Sequence, residues 1–335
     1  MNRLATAGVL ALLSILAAGC DTRGMAYGDV NSIIAVMSPE LWAEVENDVY
    51  EALEPTIRTV RDEKRFTVTY QEPFAEFWSD LRRFRQILLV GSATDAVVVE
   101  ALDGANEQIS QPGMHQIGDV WSRGQSITIV LLPEGGGADD LRPYLADVNE
   151  LLDVQYRQWV HNRMYMSGVD SALADTLHAE AGFVLLLPEV YRRTSADSVF
   201  VFRNDNPDPA ELIREIVVTW RTPIPSDFQA EDILEWREQV VAGYYSEPQV
   251  NALDNAHAEP MEYRGRYAYQ IRAEWKNPPE RGWPAGGPFI TRAVLCDNQN
   301  RMYLIDSWLY APGKKKYEYM IQLETIMDSF RCGAA

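Results

Sequence analysis

The rhythm of strand and helix signals changes near residue 167, and this limits the chain to a fold made in two parts. Before that point short apolar runs alternate with helical stripes. Ser32–Met37 reads as a strand. Ser38-Pro39-Glu40 then supplies a cap, a first-turn proline and a first-turn acid, and Leu41, Trp42, Val45, Val49 and Leu53 recur at helical spacing. Phe66–Tyr70 and Gln86–Val90 read as strands. Between them Pro73 opens a short helix that turns Phe77, Trp78 and Leu81 inward. Asp95–Leu102 reads as a helix despite three consecutive valines. Val120–Trp121 and Ser126–Leu132 fit a hairpin about Arg123-Gly124, and a long helix runs from about Asp139 to Met164.

Beyond that point strands come in runs. A helix to about Glu180 precedes strands at Phe183–Leu187, Ser198–Arg203 and Ile213–Arg221. Ser226 and Gln229 have the spacing of a capping box for a helix ending near Gly243. Strands at Arg264–Trp275, Phe289–Cys296 and Arg301–Tyr310 follow, then a helix with Met320, Leu323, Met327 and Phe330 inward. The expectation is an α+β fold, with an N-terminal mixed α/β sub-domain at 31–166 and a C-terminal antiparallel sheet flanked by helices at 167–335.

Residues 1–19 have the layout of an export signal. Arg3 precedes the uncharged run Leu4 to Ala18, and Gly19 is a small residue before Cys20. The run is shorter than the roughly 20 residues of a membrane-spanning helix. Leu16-Ala17-Ala18-Gly19-Cys20 resembles a bacterial lipoprotein signal, although leucine is commoner at the place of Ala17. The resemblance implies that Cys20 becomes the first mature residue and carries lipid, whereas a plain signal would leave an ordinary thiol. Two acyl chains suffice for stable anchoring. Residues 20–30 then form a tether of at most about 35 Å, with the globule in the periplasm or outside the cell. Asp21 resembles an inner-membrane retention signal of enteric-type sorting, a rule that is not universal, so both membranes stay open.

The net charge of −19 argues against nucleic acid and against electrostatic docking on anionic lipid. Membrane association therefore falls to Cys20. Cys296 and Cys332 are either a disulfide or two partly buried thiols. If the last helix folds back along the hairpin 289–310, its end lies near Cys296, which is the proximity a bridge requires, and both alternatives stay open.

Catalytic signatures are missing from the sequence. Glu134-Gly135-Gly136-Gly137 lies between a strand and a helix, but no Gly-Lys-Ser/Thr follows and the nearby Asp139 and Asp140 would repel phosphate, so it reads as a turn. His115, His161, His178 and His257 have no metal-ligand spacing. No Gly-x-Ser-x-Gly elbow and no Ser-x-x-Lys dyad occurs. Neither a cofactor nor a metal is expected. Carboxylate pairs for glycosidase chemistry are spatial and do not show in a sequence.

Two stretches suggest a binding surface. On a strand, Tyr267, Tyr269, Ile271 and Trp275 share one face, and Arg266, Gln270 and Arg272 the other. This gives either a polar groove for an anionic or sugar ligand or a half-buried strand with paired arginines. Trp283, among the turn residues Pro278 to Pro288, is either an exposed binding aromatic or a lid on the core. Lys314-Lys315-Lys316 stands at a helix start, where cations are unfavourable, and reads as a solvated face or a contact for phosphate headgroups.

Gly182-Phe183, Pro188, Tyr191, Gly287-Pro288-Phe289, Asn300-Arg301, Tyr310-Ala311-Pro312, Lys316, Tyr319-Met320 and Leu323-Glu324 are similar to a family of exported bacterial lipoproteins, domain of unknown function 4837. Trp121 with Gly124-Gln125 fits the same family, so the resemblance covers most of the mature chain. The hairpin, Ala-Pro turn, helix and Ser329-Phe330-Arg331 also resemble the end of the PsbP and Mog1-type sandwich. The family implies location and no catalytic residue. The resulting expectation is a lipid-anchored cell-envelope protein, a non-enzymatic binding or assembly factor with an envelope protein or glycan partner. An envelope hydrolase using a carboxylate pair is the alternative.

Overall fold

The computed structural model describes residues 23–105, 107–206, 211–281 and 284–333. The leader, Cys20 and Trp283 lie outside the described residues. The chain divides into two compact units. One runs to Glu54 and resumes at 66–150; the other comprises 55–65 and 151 onward. The fold is α+β.

In the first unit strands β1 (Ser32–Val36), β2 (Thr67–Gln71), β3 (Gln86–Ser92), β4 (Gly113–Gly118) and β5 (Ser126–Leu132) form a sheet of order β2-β1-β3-β5-β4. All neighbours are parallel except β4 and β5. The near-continuous apolar runs of β3 and β5 follow from burial on both faces. Helix α1 (Pro39–Leu53) starts as its sequence requires: Ser38 Oγ accepts the Leu41 N–H at 3.2 Å, and Trp42, Val45, Val49 and Leu53 are buried. Helix α2 (Ala96–Ala105) buries Val97, Val98, Ala101 and Leu102. The antiparallel partner of β5 is β4 and not Val120–Trp121, which belong to the connection and pack on the core. Gly113-Met-His-Gln-Ile-Gly118 has flanking glycines and little alternation, so its strand signal is weak. The described part of the tether is pinned: Ala26 N–H donates to Arg123 O at 2.8 Å, and Arg85 N–H to Tyr27 O at 2.8 Å.

Helix α3 (Leu145–Met164) contains the unit boundary, and α4 (Ser171–Ala181) follows it. Asp170 caps α4, and Gly182, at φ +75°, ends it in the left-handed conformation that glycine adopts without strain. The second unit is built on β6 (Arg192–Ala196), β7 (Val199–Asn206), β8 (Leu212–Arg221), β9 (Val250–Tyr263), β10 (Arg266–Lys276), β11 (Gly286–Cys296) and β12 (Arg301–Tyr310). They form one antiparallel sheet of order β9-β10-β11-β12-β8-β7-β6. Gly287 lets β11 and β12 close up, because a Cβ there would fall 1.7 Å from Leu309 O.

Helices cover both faces. Helix α5 (Ala230–Tyr244) sets Ile233, Trp236 and Val240 against Ile271, Trp275, Phe289 and Trp308. Its cap is Gln229, whose N–H donates to Asp232 at 2.8 Å, so the box lies three residues later than the Ser226 spacing suggests. On the other face α4 and helix α6 (Tyr317–Asp328) bury Leu177, Leu323, Ile326 and Met327 with Ile290, Ile305 and Tyr303. Of the expected strand 183–187 only Phe183–Val184 pairs, with Arg331–Cys332. Next to it a disulfide joins Cys296 and Cys332, with Cα atoms 5.9 Å apart.

A buried ion pair stands between α5 and the sheet. Arg237 and Asp306 are both fully buried, with Nε donating to Oδ1 at 3.0 Å. Arg237 also donates to Asn251 at 2.7 Å and to Gln249 at 2.6 Å, and its guanidinium lies 3.8 Å from the Phe289 ring centroid. Thr291 and Tyr245 donate their hydroxyls to Asp306. Removing one partner of such a pair costs about 3–5 kcal/mol, whereas replacing both by apolar groups costs far less. Asp306→Ala should therefore lower stability in urea by about that amount, and the Arg237→Met/Asp306→Leu double change by clearly less.

Candidate functional site

The cleft with the most varied chemistry lies in the second unit, has a volume of about 330 Å³ and is lined by Arg58, Arg65, Arg157 and Arg272. It starts from a hairpin arm, Thr56–Arg58 paired with Asp62–Lys64. The arm is held by Glu63, whose buried carboxylate accepts the N–H groups of Lys316 at 2.7 Å and Tyr317 at 3.3 Å. These are unsatisfied donors at the start of α6, where a negative charge is favourable. Glu63 thus offsets the lysines that the sequence places there. Burial lowers the affinity of the Lys316 amine for its proton, Glu63 opposes this, and the amine donates to Lys314 O at 3.1 Å.

The arginines are held in a lattice. Arg58 pairs with Glu274 and Asp62, each at 3.2 Å. Arg157 pairs with Asp153 at 2.9 Å and Glu324 at 3.3 Å, Arg65 lies 3.6 Å from Asp153, and Arg272 pairs with Glu324. Tyr317 donates to Asp153 at 2.9 Å and accepts from Arg157 at 3.1 Å. Burial pushes its hydroxyl up to about 12, so it stays protonated at neutral pH. The two partners of this lattice differ in exposure. The arginine side chains are 24–45% exposed, Asp153, Glu274 and Glu324 15–18%, and Asp62 67%. Glu274 and Glu324 line the cleft together with the four arginines, alongside Ile57 and Met320.

Among the described residues of the expected aromatic–arginine surface, Arg272 alone lines this cleft. Tyr269 is half-buried on the α5 face. Arg266 and Tyr267 border a shallow depression with Pro260 and Met261 near the β9–β10 turn, where Tyr267 meets the edge of Phe228 at 6.0 Å. Sequence reasoning missed Arg58, Arg65, Arg157, Glu274, Glu324 and Tyr317. Two local signals were available: Arg272 and Glu274 two apart on a strand, and Asp153 and Arg157 four apart on a helix. His257 lines the cleft and lies 3.3 Å from Glu259. Among the described residues no cluster of His, Cys, Asp and Glu is arranged to hold a metal ion. At the triple-glycine turn Asp140 accepts the Gly137 N–H at 3.0 Å and Glu134 accepts from Thr94, so acids occupy the donors a phosphate would need.

Glu274 and Glu324 are engaged as ion-pair acceptors. The carboxylate with raised proton affinity is Glu215, on the α5 face of the sheet. Burial pushes it up to about 7, against the Trp308 N–H at 3.1 Å and Arg203 at 3.3 Å. A carboxyl raised above its ordinary 4.5 binds its proton more tightly in the folded state. The stability it contributes is present below about pH 4.5 and is lost as pH rises through about 7. Glu215→Gln keeps an acceptor for Trp308 and removes the titration. Its unfolding free energy should fall less steeply than the parent's between pH 5 and 8; parallel curves would contradict this.

Residues 170–329 carry a DUF4837 domain, a domain of unknown function, and residues 26–138 match a second domain of unknown function, DUF8532. The first match is narrower than the sequence resemblance suggests: Trp121 and Gly124-Gln125 lie in the second. No curated protein matches the chain. Weak structural likeness exists to cyanobacterial PsbP (CyanoP) from Synechocystis sp. PCC 6803, at 15% identity over 46% of this chain and 88% of that one, with a TM-score of 0.31. The Saccharomyces cerevisiae Ran-binding protein Mog1p gives 9% identity, 46% and 91% coverage and a TM-score of 0.32. LpqN, described as involved in cell envelope biogenesis of Mycobacterium tuberculosis, gives 11%, 44% and 79%, and 0.26.

Proposed function

We propose, for a chain with a DUF4837 domain in its second unit, a lipid-anchored binding factor of the bacterial cell envelope that takes an acidic glycan segment in the arginine cleft and does no chemistry on it. The exposure difference within the lattice carries this reading. In a chain of net charge −19, four arginines line one cleft with side chains 24–45% exposed, while their partners Asp153, Glu274 and Glu324 are 15–18% exposed. Guanidinium forks suit carboxylates, and Ile57 and Met320 add apolar surface to the cleft. Among the described residues no helix is long and apolar enough to cross a membrane, and anchoring is assigned to Cys20.

Calorimetric titration with an oligogalacturonate should show saturable binding that neutral maltotriose lacks. Arg58→Ala/Arg272→Ala should weaken it at least tenfold; unchanged binding by that variant would refute the cleft as the site. Recovery of shortened sugar after long incubation would favour the hydrolase alternative instead.

Cys20→Ser should move the protein from the membrane fraction to the soluble one. Intact-mass analysis of the parent should find acyl chains on Cys20, and an unmodified thiol there would remove the anchor from this account.

A further inference from the structure

Among the described residues of the second unit three arginines are more than nine-tenths buried, and they are not treated alike. Arg237 has Asp306, and Arg292 has Asp328 at 2.6 Å together with Gln270 at 2.7 Å. Arg214, on β8 beneath α6, has no carboxylate within ion-pairing distance among the described residues. One of its nitrogens donates to the neutral Gln322 at 2.6 Å, and its Nε has no hydrogen-bond partner. A guanidinium does not escape by losing its proton, and an uncompensated buried charge is strongly unfavourable. This is more notable in a chain with 49 acidic residues than it would be in a basic one.

Arg214 lines a cavity of about 310 Å³. Tyr191, also more than nine-tenths buried, lines it too, and its hydroxyl has no hydrogen-bond partner. Burial pushes that hydroxyl up to about 12, with the charge of Arg214 opposing. The Tyr319 ring lies 5.8 Å from the guanidinium. At the mouth Arg163 is neutralised by Glu318 at 3.4 Å. Polar side chains of Ser167, Asn204 and Gln322 share the lining with an apolar strip: Met166 is 84% and Val190 51% exposed, and Met164, Leu212 and Ile326 are buried.

We propose that this cavity, separate from the arginine cleft, binds a small monocarboxylate with a short aliphatic tail, its head on Arg214 and Tyr191 and its tail toward Met166 and Val190. The charge count selects the head. With Arg163 and Glu318 cancelling, one negative charge balances Arg214, whereas a phosphate dianion would leave an excess beside Glu318. Geometry agrees, because a carboxylate takes parallel bonds from a guanidinium edge and has lone pairs to spare for a hydroxyl. The Arg214 Nε and the Tyr191 hydroxyl are shielded from solvent, so engagement includes a small shift of both side chains toward the ligand. The proposal is independent of the glycan reading, and neither test bears on the other.

The test is calorimetric titration of the purified full-length chain with octanoate, and with octanol and octyl phosphate as controls. Octanoate should bind saturably and at least tenfold more tightly than either control. Equal binding of octanol, tighter binding of octyl phosphate, or no octanoate binding would each overturn the proposal. Arg214→Met should abolish octanoate binding while raising the melting temperature of the unliganded protein, because it removes an uncompensated charge from a site that holds an apolar chain. A lower melting temperature together with unchanged octanoate binding would identify Arg214 as purely structural and overturn the proposal. Tyr191→Phe, which keeps the ring, should weaken octanoate several-fold and leave octanol unchanged; equal octanoate affinity would remove Tyr191 from the site.

Discussion

The second unit is organised around two charges that meet out of reach of water. Arg237 and Asp306 would be costly to bury alone, and the surrounding residues supply hydrogen bonds to both. Those residues come from separate elements: Arg237 from α5, Asp306 from β12, Thr291 from β11, Asn251 from the start of β9, and Gln249 and Tyr245 from the segment between α5 and β9. The network therefore specifies register as well as attraction. A slip of one residue in β12 would turn Asp306 toward the apolar α6 face and Ile305 into the network.

The same economy of charge runs through the unit. Arginine accounts for 25 of the 30 basic residues, and its planar fork lets one side chain join several elements. Arg157 links α3 to α6, Arg58 links the arm to β10, and Arg203 on β7 reaches Glu215 on β8 and Glu247 beyond α5. Compact ammonium groups have no such fork. Against this pattern Arg214 stands out because its partner is a neutral amide.

Legibility in the sequence followed burial. Strands such as β3, β5, β11 and β12 are dense in Val, Ile, Leu and aromatic residues because they are enclosed, and they were found close to their actual limits. Strand β9 was not found. Its stretch Leu253–Glu259 is exposed at the edge of the sheet, and the register shifts between Ala252 and His257. No apolar alternation marks such a strand. The hairpin arm was missed for a related reason: its buried member, Glu63, is polar, and what buries it is a helix terminus. Of the cleft, Arg272 was visible because it shares a strand with aromatics. The other three lie 115 to 214 residues before it in the chain and meet it only after folding.

Glu63 reaches its helix across 253 residues of chain. The stretch recognisable as DUF4837, 170–329, thus ends short of what makes it self-sufficient. Trimmed to those limits it would keep the amides at the start of α6 and lose the carboxylate that seats on them. It would also lose Asp153 and Arg157, and retain Cys296 without Cys332. An autonomous portion of this molecule is therefore a discontinuous one, in which an eleven-residue insert at 55–65 is as much a part of the later half as the strands it serves.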